Sequence, residues 1–210
     1  MADNYLEKRH EEVFGKGAGK GISRPSLDSL LLKNRSYRGF DGSYDVLPRQ
    51  LDTIVSVNTK LGSGMNAQRL RFRCICGGED ASKVLSLIKL AGAHPEWGLP
   101  LPGTEPRAFI IVCATCEENP IVDIDLGMSL EAMTLKAVEM GLGGVIVRCF
   151  DAAALREALS LPLQPLIVLA LGKPIERISL VPVHEGDSLK YYREDGVHYV
   201  PKLTLEDIKI

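Results

Sequence analysis

Four short stretches hold residues whose types and spacing could do chemistry. The first is Asn34-Arg35-Ser36-Tyr37-Arg38-Gly39-Phe40, directly after a leucine-rich segment. Two guanidinium groups and a hydroxyl so close together can gather phosphate oxygens, because guanidinium offers paired donors and serine and backbone amides add more. The same residues also describe a solvated loop with an aromatic anchor. The second stretch is Gly62-Ser63-Gly64-Met65-Asn66-Ala67-Gln68. Small residues followed by two carboxamides can present donors to a heteroaromatic edge, or form an ordinary loop. The third, Cys113-Ala-Thr-Cys116, has the spacing of a redox dithiol, but Glu-Glu-Asn-Pro follows where such motifs open a helix. No second Cys/His pair completes a zinc site, so these read as buried or loop thiols. The fourth, Gly141-Leu142-Gly143-Gly144, allows backbone to approach backbone or a flat ligand closely. It ends a helix and begins a strand, the reverse of a dinucleotide-binding turn.

Other catalytic templates are missing. There is no Gly-x-Ser-x-Gly elbow and no His-Glu-x-x-His. Gly15 to Gly21 is glycine-rich but lacks the spacing and preceding strand of a P-loop. His10, His94, His184 and His198 fall in arms and loops without companions at metal spacing, which describes solvated or structural histidines and no metal site. A basic loop, an amide loop and a glycine turn without acid–base machinery suit a cofactor that carries its own chemistry.

The elements that must position these stretches centre on residues 125–150. Asp125 reads as an N-cap, and Leu126, Leu130, Met133, Ala137 and Met140 recur at helical spacing. Met128, Leu135 and Val138 make other faces apolar too, so this helix belongs in a core or an interface. Gly141 ends it, and Val145-Ile146-Val147 is a short buried strand. Ser26 caps a helix to Lys33 with Leu27, Leu30 and Leu31 expected to be buried. Helices are also expected over 48–61, 80–91 and 151–159, and strands over 70–76, 108–114 and 164–172. Asp195-Gly196 signals a hairpin between 189–193 and 197–201, and an amphipathic turn closes the chain at 203–210. The proline-rich loop 92–106 is of the kind that covers sites.

Helices alternating with apolar strands argue one α/β-type domain over 26–210, preceded by an arm at 1–25 in which Tyr5 to Phe14 could form a short helix. With 210 residues and 45% hydrophobic content the chain can bury a proper core. A formal net charge of −2 does not ask for nucleic acid or an acidic membrane, and no apolar run has membrane length. Five cysteines in apolar segments suit reduced thiols, so a cytoplasmic setting is the expectation.

Together these stretches resemble the FMN-dependent nitroreductase family. Residues 34–40 look like its Arg-x-Ser-x-Arg/Lys-x-Phe opening, and residues 62–68 resemble its Pro-Ser-x-x-Asn-x-Gln loop. Residues 125–150 are similar to its central helix, Gly-Leu-Gly turn and flavin-facing strand, and Tyr199-Val-Pro-Lys202 to its terminal phosphate-binding arm. The resemblance implies an α+β fold with a mixed sheet flanked by helices, and a homodimer with FMN between the subunits. Arg35, Ser36 and Lys202 would hold the FMN phosphate, and Arg38 would reach the ribityl chain and the N1–O2 side of the ring. Ser63, Gly64, Met65, Asn66 and Gln68 would approach the same flavin from the partner. The backbone amides around Arg148 and Cys149 would face N5 and O4; the Arg148 side chain either points away or partly covers the flavin. Asn34, Gly62, Arg69-Leu70 and Leu203 depart from the family pattern, and two phosphate charges are missing as a result.

The activity this implies is ping-pong hydride transfer from NAD(P)H through FMN to an electron-poor acceptor, nitroaromatic or quinone-like, with no catalytic side chain. Dehalogenation, enone reduction or flavin breakdown on the same scaffold is the alternative within enzymes. A non-catalytic flavin-binding protein is the alternative outside them.

Overall fold

The apolar runs form the middle layer. In the computed structural model, which describes residues 25–92 and 94–210, β1 (Leu70–Cys76), β2 (Ala108–Ala114), β3 (Gly143–Val147) and β4 (Gln164–Gly172) make a sheet in the order β1-β2-β4-β3. Every pairing in it is antiparallel. β2 is buried along its whole length because both faces are covered. Its alternate residues serve two cores. Ile110 and Val112 pack with Leu51 and Ile54 of α2 (Pro48–Val55) and with Leu126, Leu130 and Met133 of α4 (Pro120–Glu139). Phe109 and Ile111 pack with Ala81 and Val84 of α3 (Gly78–Leu87) and Leu155 of α5 (Ala152–Ala158). The strand period of two therefore sorts one continuous apolar run onto two helical layers.

A smaller sheet follows in the chain: β5 (Arg177–Val183), β6 (Tyr192–Glu194) and β7 (Val197–Leu203), in the order β5-β7-β6. β5 and β7 run parallel, while β6 and β7 form the expected hairpin. Asp195 and Gly196 both have positive φ, 48° and 74°, as a tight hairpin turn requires. The mixed pairing of the α+β fold thus lies in this small sheet. β5 was not foreseen, and the amphipathic helix expected within the arm lies outside the described residues.

Two expectations are corrected. The long helix begins at Pro120, not at Asp125: Asn119 caps it, its side chain accepting from the amides of Ile121 (3.1 Å) and Val122 (3.2 Å), and Pro120 occupies the first turn. Asp125 is instead a buried residue inside the helix, 6% exposed. The helix α1 (Leu27–Lys33) is capped by Ser26 as expected, but buries none of its residues; Leu27 and Leu32 are exposed. Leu30 is partly buried, and Asn34 just past the helix end donates to Glu131 and Thr134 of α4.

Candidate functional site

The basic loop after α1 is fastened on both sides. Ser36 pairs with Gly144 at the start of β3, and the Tyr37 amide donates to the Gly144 carbonyl at 3.0 Å. A Cβ on Gly143 would lie 2.5 Å from the Tyr37 ring, so the close approach that the glycine turn allows is to this tyrosine. On the other side Glu176, just before β5, accepts from the backbone amides of Arg38 and Gly39 and from the Arg193 guanidinium. Asn34 donates to Thr134 (2.9 Å) and Glu131 (3.1 Å) of α4.

Held in this way, the loop forms one wall of a cavity of about 320 Å³ lined by Asn34, Arg35, Ser36, Arg38 and Glu131. The opposite wall is Ile178 of β5, Tyr191 beside β6, and His198, Val200 and Lys202 on one face of β7. Three cationic side chains thus face one carboxylate. Arg35 donates to the Leu31 carbonyl, while its Nε is buried without a partner among the described residues. Arg38 donates from Nε to the Leu90 carbonyl (2.8 Å) and from a terminal nitrogen to the Ser36 carbonyl (3.1 Å). Its guanidinium lies 6.0 Å from the centre of the Tyr191 ring, and burial is the chief cause that lowers its pKa. Behind the cavity His94, Trp97, Tyr191 and His198 form an aromatic cluster, with His94 and Trp97 stacked at 4.4 Å. The loop 92–106 contributes this cover.

The amide loop lies elsewhere in the chain. Ser63 and Gln68 line a second cavity of about 330 Å³ beside α2 and α4, with Asp125 and Ser129. The Gly64 amide donates to Asp125 Oδ1 at 2.8 Å, which is the use α4 makes of that carboxylate; its Oδ2 has no partner among the described residues. A Cβ on Gly64 would sit 2.3 Å from Ile121. Met65, Asn66 and Gln68 all carry positive φ, an uncommon conformation for non-glycine residues, and Met65 is 76% exposed. The Ser63 hydroxyl accepts from the Gln68 amide at 3.1 Å and closes the turn.

Arg148 does not line the basic cavity: its side chain donates to Glu118 at 2.6 Å and lines a third cavity of about 590 Å³ with Cys116. Cys149 is exposed beside Gly92. Cys113 and Cys116 are free thiols, and burial pushes Cys113 up to about 11, which keeps it a thiol. The structure therefore brings Arg35, Ser36, Arg38 and Lys202 to one cavity, and leaves Ser63, Gly64, Met65, Asn66, Gln68, Arg148 and Cys149 outside it. Sequence reasoning missed Glu131, Glu176, Tyr191 and His198; only the position of His198, four residues before Lys202, could have signalled that both lie on one strand face. Among the described residues no group of three or more His, Cys, Asp or Glu could hold a metal.

The profile of the nitroreductase family matches residues 31–173. The chain belongs to the nitroreductase family. The family segment includes the basic loop, the amide loop and the four-stranded sheet, but stops before β5, so one wall of the basic cavity lies beyond it. Solved structures agree on the fold. A nitroreductase family protein from Clostridium difficile 630 is 24% identical, with a TM-score of 0.58 over 72% of this chain and 86% of that one. An FMN-dependent nitroreductase from Clostridium difficile R20291 is 18% identical, with a TM-score of 0.59 over 72% and 89%. The FMN- and NADPH-dependent nitroreductase NfnB from Sphigopyxis sp. strain HMH is 18% identical, with a TM-score of 0.59 over 72% and 89%. No curated protein matches the chain. No described helix is long and apolar enough to cross a membrane.

Proposed function

We propose that this nitroreductase-family chain is an FMN-dependent oxidoreductase that takes hydride from NAD(P)H and passes it to an electron-poor acceptor, nitroaromatic or quinone-like. The observation that carries this reading is the cavity where Arg35, Ser36, Arg38 and Lys202 converge from the two ends of the family-type fold. Its donor set fits a phosphate monoester: a buried, unpartnered Arg35 Nε, a serine hydroxyl and a lysine ammonium. The FMN dependence of similar folds supports the same ligand. When bound, FMN supplies the hydride-accepting ring. The chain's part is to bind and orient it, and Arg38 would supply positive charge beside the ring.

The site is completed by a second copy of the chain. Ser63 to Gln68 stand outside the basic cavity; Met65 of that loop is exposed, as are Ile121 and Met128 beside it and Ile124 on the same helix. A homodimer that buries these residues would bring one chain's amide loop toward the other's flavin, which the Arg148 and Cys149 amides would help to hold. The region 26–210 acts as one domain in this arrangement. A second reading, a flavin-binding protein without turnover, draws on Glu131, whose carboxylate opposes a phosphate, and on Asn34, which supplies no charge.

The purified protein should be yellow, and denaturation should release FMN. Anaerobic addition of NADH and of NADPH should bleach the flavin with at least one of them. Release of FAD, or failure to take up FMN on reconstitution, would overturn the reading; stable FMN that neither nicotinamide reduces would establish the second one.

A further inference from the structure

His198 is 4% exposed, lies on β7, and lines the basic cavity. Neither of its ring nitrogens has a hydrogen-bond partner among the described residues. A buried imidazole without partners is costly to keep, and its neighbours do not relieve it. Trp97 and Tyr191 meet it through their rings, at 5.5 and 5.4 Å between centres. The charged and titratable groups around it are Arg193, Arg38, Glu176 and His94. Two of these are guanidinium groups, and burial together with Arg193 and Arg38 keeps the ring on the neutral side.

A neutral imidazole offers one donor and one acceptor. The rest of the basic cavity is rich in donors: Arg35, Arg38 and Lys202 have no acceptor to give. Lys202 and His198 lie on the same face of β7, so their Cα atoms are roughly 13 Å apart along the strand. A ligand whose phosphate sits at Lys202 and Arg35 therefore presents a different part of itself to His198.

We propose that His198 is a further ligand-binding residue of this cavity, exchanging hydrogen bonds through its ring nitrogens with the hydroxyl-bearing chain that joins the phosphate of the flavin to its ring. The proposal rests on the FMN reading above. Hydroxyl groups both give and accept, which matches a neutral ring; phosphate only accepts, and the cations that suit it stand at the other end. His198 stands on the terminal sheet, beyond the matched family segment 31–173.

The test compares FMN with riboflavin, which keeps the hydroxyl chain and lacks the phosphate. Dissociation constants come from quenching of flavin fluorescence by the apoprotein. His198→Phe preserves the aromatic packing and removes both nitrogens; it should weaken FMN and riboflavin by the same factor, roughly tenfold. His198→Gln, which keeps a donor and an acceptor, should recover part of that loss. Arg35→Ala should weaken FMN and leave riboflavin almost unchanged. Without flavin, His198→Phe should melt at or above wild type, because it removes an unpartnered buried group. A loss confined to FMN would place His198 at the phosphate and overturn the proposal. Unchanged affinity for both flavins, or a lower melting temperature of the apoprotein that tracks the affinity loss, would also overturn it while wild-type FMN binding left the cofactor reading standing. If wild type binds neither flavin, both readings fall.

Discussion

Arg35 and the cysteine pair mark the two ends of the scale of functional weight at single residues. Arg35 has a buried nitrogen without a partner and stands in a cavity with few other cations. Charge-assisted hydrogen bonds contribute about 1.5–3 kcal/mol each, so Arg35→Ala should weaken FMN roughly 10- to 100-fold. Cys113→Ala with Cys116→Ala should leave flavin content and NAD(P)H oxidation nearly intact; a double variant that keeps FMN but cannot turn over would restore a redox role to the pair. The histidines were read in sequence as lying in arms and loops, and for His198 that reading missed a buried strand position. Only its spacing from Lys202 hints at it: the cavity joins residues 34–38 to 178–202, and such pairing at long range leaves no periodic signal. Its burial has a consequence for acid stability. Burial, with Arg193 and Arg38, pushes the folded-state pKa of His198 below its ordinary 6.5. The unfolded chain then binds the proton more readily, so the stability this group contributes is present above the unfolded value and is lost as pH falls below it. Denaturation of the apoprotein followed from pH 7.5 to about 5 should show a smaller decline for His198→Phe than for wild type.

Among the elements, α4 shows what helical periodicity can and cannot tell. Its apolar residues all round were legible, but two kinds of apolar face were not separable by pattern. Met133 is 0% exposed and belongs to the core of a single chain, whereas Ile124 is 63% exposed and faces away from it. The two positions therefore separate folding from assembly. Met133→Ala should cost about 2–5 kcal/mol of stability as a core cavity. Ile124→Lys should leave the fold of one chain intact and produce a monomer by light scattering that no longer retains FMN. A dimer that survives Ile124→Lys with its flavin would place the interface on another face, with the exposed leucines of α1 the nearest candidate. The start of α4 was misread for a definable reason. Asp125 has the chemistry of a cap, but Asn119-Pro120 supplies the cap one and a half turns earlier, and the carboxylate is engaged by Gly64.

On the scale of the whole molecule, the strands over 70–76, 108–114 and 164–172 were legible because fully or alternately apolar runs leave few other conformations. β5 was not, since Pro182 interrupts its run and its residues are only partly buried. The order of the large sheet was likewise beyond local reading: the alternation of elements argued an α/β-type domain, and the α+β class came from the family resemblance. What the family pattern did foretell is the set Arg35, Ser36, Arg38 and Lys202, residues that share a cavity despite a separation of most of the chain.

The order β5-β7-β6 puts the second wall of the cavity on the terminal segment. β7 follows β5 and β6 in the chain, yet it is the middle strand of their sheet and carries both His198 and Lys202. The four-stranded sheet and its helices precede it in the chain, and of the basic loop's two fastenings only the one at Gly144 belongs to them; the other, Glu176, comes with the terminal segment. The terminal sheet has no centre without residues 197–203, and a ligand held by both walls needs them. A chain cut before β7 would lose His198 and Lys202 together, and with them the second wall of the cavity.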